Sequence, residues 1–173
     1  PTYNPDIEEL KLKVGDEKTK EIFSKITERN KNENLWWKIL KLEPSIKPFC
    51  EKYQNYILCG EILNVQGKEF TYGYKDGKPG FLAFDIFDHK NGNFLDAEEC
   101  YTILQKEKVP TVPFLGIHKF DIDNLISLSE QDSIIPGQKL REGIVINTLK
   151  ERFHPEIQRV ILKLVSVKYL ERS

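Results

Sequence analysis

The sequence predicts an α+β fold of mixed, largely antiparallel sheets with flanking helices. Three observations carry that prediction. Apolar runs of strand length recur at residues 56–63, 81–88, 141–146 and 160–166, rich in isoleucine, valine and aromatics. Helical patterns with capping signals lie between them. The two kinds of element intermix without a regular βαβ period.

The elements follow in order. Residues 1–20 are polar, carry Pro1, Pro5 and Gly15, and read as an N-terminal arm leading into a domain that spans residues 21–173. Residues 21–27 set Ile22, Ser24 and Ile26 against Phe23 and Lys25, the alternation of a short strand. Asn34 is placed to cap a helix through Leu42, with Leu35, Trp36, Ile39, Leu40 and Leu42 as its apolar stripe and Pro44 as its stop. Trp36 and Trp37 are adjacent, so one should pack inside while the other is at least partly exposed. A second helical stretch is predicted over residues 48–54, before the strand that starts at Tyr56.

Four glycines and Pro79 make residues 67–80 an exposed loop. Asn91-Gly92 marks a turn between two strand-like runs. Asp96 and Glu99 form a capping-box-like signal for a helix to Lys106. Pro110 and Pro113 hold residues 109–120 extended, and either Asp121 or Asp123 starts a short helix through Leu128.

Composition narrows the function classes. The 173 residues are one domain's worth and can bury a full core. A hydrophobic content of 39% with 31% charged residues fits a globular protein, neither disordered nor membrane-embedded. Apolar runs stop well short of a spanning helix, and neither a signal region nor a membrane partner is expected. A net charge of −1 gives no global sign of nucleic-acid binding, although 26 lysines and arginines could still concentrate on one face. Cys50, Cys59 and Cys100 are scattered and odd in number, which points to buried reduced thiols in a cytoplasmic setting, nuclear or organellar ones not being excluded. His89, His118 and His154 are equally dispersed, so a zinc site is not expected.

The last third carries the chemistry. Glu142 stands at the mouth of one apolar run and Lys163 inside another, and both runs read as largely buried strands. A charge in such a strand costs several kcal/mol unless it meets a partner, a metal or a phosphate. One acid and one lysine on two strands suit a phosphate-and-metal site. Upstream, Glu61 follows Gly60, a residue that lets another group approach the backbone closely. Taken alone, Glu61 is equally an edge-strand acid in solvent, Phe84 a core aromatic, Arg29 a solvated arginine and Lys163 a member of a surface ion pair.

The order Arg29-Asn30, Gly60-Glu61, Ala83-Phe84-Asp85, Arg141-Glu142-Gly143 and Lys163 resembles the nucleotidyltransferase core of ATP-dependent RNA ligases, most similarly the nick-sealing type. Glu142-Gly143-Ile144-Val145 matches the family's string of an acid, a glycine and a β-branched pair. Lys163, followed by an apolar run and Tyr169-Leu170, matches its last motif. The resemblance runs from about Thr27 to the C-terminus. It implies an ATP-grasp-like adenylyltransferase core that takes ATP and Mg²⁺ or Mn²⁺ and acts on RNA ends. It further implies that Phe84 stacks on adenine, Glu61 accepts from a ribose hydroxyl and Arg29 contacts the sugar or the nucleic-acid end. Glu142 would bind the metal, and Lys163 would hold the α-phosphate and stabilise charge in transfer. Glu61, Phe84, Glu142 and Lys163 are then expected in one pocket.

The sequence departs from the family at its nucleophile. Relatives attack ATP with the lysine of a Lys-x-Asp-Gly motif about twenty residues before the arginine-asparagine pair. The nearest string here is Lys13-Val14-Gly15-Asp16, with glycine and aspartate transposed. A second lysine that many relatives carry two places beyond the first is Val165. The expectation is therefore either an RNA ligase domain whose nucleophile lies in an additional N-terminal segment or domain, or a non-catalytic module of the same fold that binds a nucleotide or an RNA end.

Overall fold

A computed structural model describes residues 16–18, 20–21, 24–25, 34–63 and 70–172. The backbone divides into two compact units, Pro1–Leu42 and Glu43–Ser173. In the first, the described residues between 16 and 25 are helical, and Lys25 pairs with Glu21 at 2.6 Å across one helical turn. This corrects the short strand expected at residues 21–27. Over so few positions an alternation and a helical stripe are hard to tell apart, and the i,i+4 ion pair favours the helix. Helix α1 spans Leu35–Leu42 as predicted, with the Asn34 side chain accepting from the Trp36 N–H at 2.8 Å. Its buried residue is Ile39; Trp36 and Trp37 flank that line and are both exposed, contrary to the expectation that one would pack inside.

The second unit begins with helix α2, Ile46–Lys52, which starts two residues before the predicted stretch because Pro48 fits its first turn. Strands β1 (Tyr56–Leu63) and β2 (Gly80–Asp88) form a long antiparallel pair, and β3 (Asn93–Phe94) extends it through the Asn-Gly turn. Helix α3, Ala97–Lys106, packs against β2, and α2 packs against β1. Phe81, Ala83, Ile86, Phe49 and Leu104 are buried here, each large aliphatic or aromatic side chain contributing about 1.5–3 kcal/mol. Ala83 also exchanges backbone hydrogen bonds with Pro110 and Val112, so the extended proline segment borders the sheet.

Helix α3 begins where predicted, but Asp96 makes no capping bond from its side chain. Its carboxylate accepts instead from Lys150 Nζ and the Glu151 N–H, each at 2.7 Å. Helix α4, Ile122–Ser129, does carry a side-chain cap, and Asp121 is the residue that supplies it to the Asp123 and Asn124 N–H groups.

The C-terminal strands β4 (Gly143–Asn147) and β7 (Ile161–Val165) pair antiparallel, with the small hairpin β5 (Phe153–His154) and β6 (Gln158–Arg159) between them. The short helix α5, Val167–Leu170, follows. Both long strands were expected to be largely buried, yet Val145 is 60% exposed, and Ile161, Leu162 and Val165 are also exposed. The pair is only two strands wide and α4 is its helical neighbour, so little covers it among the described residues. The cysteines differ from expectation in the same way: Cys100 is buried, Cys59 half-buried and Cys50 exposed, all three free. No described helix is long and apolar enough to cross a membrane.

Candidate functional site

The β1–β2 ladder is interrupted at one point. Cys59 pairs with Asp85 and Gly60 with Ala83, so Phe84 is the extra residue of a β-bulge and has no partner across the ladder. Bulges re-aim side chains and recur beside functional sites. Here the result is visible in burial: Phe84 is 45% exposed and is the sole exposed residue of β2. Glu61 pairs with Leu82 and is exposed as well. Gly60 is required because the Phe81 ring lies against its Cα; a β-carbon would come within 2.2 Å of that ring. The glycine thus admits a core ring, where the sequence indicated only an unspecified close neighbour.

Next to Phe84, Asp85 is 4% exposed and bound by Arg159 through two hydrogen bonds of 2.6 and 3.0 Å. The same guanidinium donates to Glu151 at 2.9–3.1 Å and lies 3.8 Å from the centre of the Phe94 ring. Burial works against the arginine's charge, but its hydrogen bonds to both carboxylates outweigh that and raise its pKa further. The clamp fastens the open end of the β5–β6 hairpin to the strand that carries Phe84. Burial, reinforced by the Asp85 charge, pushes the nearby Cys100 thiol up to about 12, so it stays protonated.

Glu142 is held from three directions. Arg141, its neighbour, is buried and donates to the Leu128 carbonyl at 2.7 Å and the Asp132 carbonyl at 2.9 Å, closing the C-terminal end of α4. The Glu142 carbonyl accepts from the Ser166 N–H at 2.9 Å. Its side chain accepts a short hydrogen bond from the Tyr72 hydroxyl. Gly143 follows at φ +151°, where a β-carbon would meet the Leu164 carbonyl at 2.0 Å. Glycine is the residue that allows β7 this close.

Tyr72 joins the two halves of the site. Burial raises its phenol pKa well above the ordinary range, and the Glu142 hydrogen bond and the charges of Glu142 and Glu61 raise it further. It therefore remains a donor, with both carboxylates in its electrostatic surroundings. The loop that carries it is not the fully exposed one expected from its glycines: Phe70 is buried, with the Tyr169 ring 5.4 Å away edge-on.

Of the residues selected from sequence, Glu142 is bonded by Tyr72 and Glu61 adds charge to that tyrosine's surroundings, while Phe84 stands on the strand paired with β1. Lys163 lies on β7 opposite Val145 and is exposed, so the burial cost expected of its charge does not arise. Arg29 lies outside the described residues. Tyr72, Arg159 and the anchoring role of Arg141 were missed; for Tyr72 the available signal was a Tyr-Gly-Tyr string inside a glycine-rich loop. Among the described residues no cluster of three or more His, Cys, Asp or Glu could form a metal cage. The half-buried Glu142 beside Tyr72 and the exposed Glu61 are instead carboxylates of the kind that suits a hard cation keeping several waters and taking its remaining ligands from phosphate.

The chain belongs to the RNA ligase family, whose model matches residues 11–165. Among solved structures it is similar to the Naegleria gruberi RNA ligase in a lysine-to-alanine mutant with ATP and Mn, at 23% identity and a TM-score of 0.64. A lysine-to-methionine mutant of that ligase with AMP and Mn matches at 21% and 0.62, and the ligase with PPi at 22% and 0.62. Each match covers 80% of this chain and 40% of the ligase chain, so the chain spans well under half the length of those relatives. The likeness supports the α+β ligase core predicted from sequence.

Proposed function

We propose that this domain binds an adenine nucleotide on the open face of β1–β2 and serves an ATP-dependent RNA ligase that joins RNA ends. The observation that carries this reading is Phe84, an aromatic lifted out of its ladder by a bulge and left half-exposed on an otherwise buried strand. In this reading Phe84 stacks on the adenine, Glu61 accepts from the ribose and Arg29 contacts the sugar or the RNA end. Glu142 holds Mg²⁺ or Mn²⁺ through its carboxylate and intervening waters. Lys163, on an exposed strand free to meet a phosphate, neutralises charge at the α-phosphate during transfer. A bound cation would supply further charge neutralisation at the phosphates. The solved relatives contain ATP, AMP and Mn, which agrees with this choice of ligands.

The nucleophilic lysine is assigned to sequence outside these 173 residues, because no Lys-x-Asp-Gly string occurs within them. The same observation favours a second reading, a ligase-fold module that binds a nucleotide or RNA end without forming the covalent adenylate. Both readings, the second in its nucleotide-binding form, require nucleotide binding.

Calorimetric titration of ATP with Mn²⁺ tests that shared requirement. Phe84→Ala should weaken binding by about 1–3 kcal/mol, the usual value of one base stacked on one aromatic ring. Its melting temperature should hardly move, since a half-exposed ring contributes little to the core. Unchanged affinity in a folded Phe84→Ala protein would remove the central support for this site. Incubation with labelled ATP then separates the two readings: these 173 residues should take up no covalent AMP unless a nucleophile-bearing segment is supplied.

A further inference from the structure

We propose that Tyr72 is a positioning residue that holds Glu142 for cation binding, an inference that rests on the assignment of Glu142 to the metal. Tyr72 reaches Glu142 from seventy residues away in sequence, donating to Oε1 and leaving Oε2 without a protein donor from that hydroxyl. A carboxylate fixed through one oxygen presents the other in a set direction, which is how supporting hydrogen bonds commonly orient metal ligands.

The loop is built to deliver that hydroxyl. Tyr72 adopts φ +49°, a left-handed conformation unfavourable for a bulky residue, and such strain persists only where surrounding contacts enforce it. The enforcing contacts are specific. Gly73 sits against the Pro136 carbonyl, where a β-carbon would approach to 2.3 Å. Gly137 faces Gly73 in turn, and its own β-carbon would come within 2.6 Å of the Gly73 Cα. Two glycines with positive φ therefore let two loops touch backbone to backbone. The Tyr74 ring covers Gly80 at the start of β2, and Phe70 is buried. Such a scaffold is more than packing of the ring alone would need; it sets the height of the hydroxyl over Glu142. Glu61 contributes a second carboxylate charge to the same surroundings.

The test uses the full 173-residue chain and Mn²⁺ as the probe, titrated in the presence of ATP and followed by electron paramagnetic resonance. Tyr72→Phe removes one oxygen and keeps the ring. It should weaken Mn²⁺ binding by roughly 10–100-fold, the usual effect of losing a group that orients a ligand. The metal-free melting temperature and ATP binding without metal should stay close to the unaltered protein's. Glu142→Gln should lose at least as much Mn²⁺ affinity, and adding Tyr72→Phe to it should cost nothing further, because the two act as one unit.

If Glu142→Gln loses the metal while Tyr72→Phe keeps it, the positioning role is overturned and the nucleotide site stands. Should Glu142→Gln bind Mn²⁺ normally, the metal assignment itself fails and this inference with it. A Tyr72→Phe protein that melts far lower in metal-free buffer assigns the hydroxyl to structure, which also overturns the proposal. Gly137→Ala provides a check that leaves the hydroxyl in place: shifting the two loops apart should reduce Mn²⁺ affinity, and undiminished affinity in that folded variant would count against the proposal.

Discussion

The two antiparallel pairs of this domain solve the same problem to different degrees. β1–β2 has a helix-covered core face, a third short strand and a proline segment along its edge, and its central acid is locked by Arg159. β4–β7 is two strands wide, with apolar side chains exposed along much of its length. The residues proposed for the site come from both: Glu61 and Phe84 from the braced pair, Glu142 from just before β4 and Lys163 from the middle of β7 in the thin one. A base-stacking ring benefits from a rigid platform. In the proposed reading, phosphate and metal would be met by the pair whose hold depends on individual hydrogen bonds at Arg141, Ser166 and Tyr72.

Removing the lock from the braced pair should have the largest effect. Arg159→Ala would leave Asp85 buried without its counter-ion, and breaking such a pair typically costs about 3–5 kcal/mol. Urea denaturation would show the midpoint falling accordingly. A loss below 1 kcal/mol would mean that β1–β2 does not depend on this clamp, and the contrast between the pairs would weaken.

A smaller loss is expected from Gly143→Ala. The substitution places a side chain in a strained backbone conformation and against the Leu164 carbonyl, for about 1–3 kcal/mol. Hydrogen exchange should quicken at the amides of β4 and β7 while those of β1 and β2 keep their protection. Equal loosening of both pairs would show that they open as one unit.

The smallest effect is pH-dependent. Glu130, just past α4, accepts from the Val167 N–H at 2.6 Å and the Ser166 hydroxyl at 3.2 Å, tying the end of β7 to that helix. The Val167 N–H, more than any other group, holds its carboxyl below the usual glutamate range. A folded pKa below the unfolded one means that the contribution is present above the ordinary glutamate pKa and is lost as pH falls through the lowered value. The Val167 amide should therefore exchange faster, relative to amides in β2, as pH drops below about 4. A constant ratio would show that the carboxylate does not fasten this end.

Much of the fold was legible because it is local. Residues 56–63 and 81–88 are strands wherever they pack, and Asp121 is a cap through its own two neighbours. What escaped was decided at long range. Asp96 has the sequence of a capping residue, yet a lysine fifty-four positions away and a backbone amide beyond it take the carboxylate. The apolar runs of β4 and β7 are strands as expected, but no pattern within them records how little lies over them. For the site, Phe84 stood out only through the family's motif order, since an aromatic in an apolar run is ordinarily core; the bulge that exposes it depends on the register against β1. Tyr72 had no periodicity to mark it, because its role is fixed by two glycines in separate loops.

The bond between Tyr72 and Glu142 also imposes an order in time. Glu61 leaves a translating ribosome roughly eighty residues before Glu142, a delay of about 4–16 s at about 5–20 residues per second. From Phe84 onward the nascent chain contains the aromatic platform and one carboxylate, while the tyrosine hydroxyl still has water as its partner. The second carboxylate arrives with the last fifth of the described chain, and under the proposed function a nucleotide met before then would find a surface to stack on but no complete seat for its phosphates.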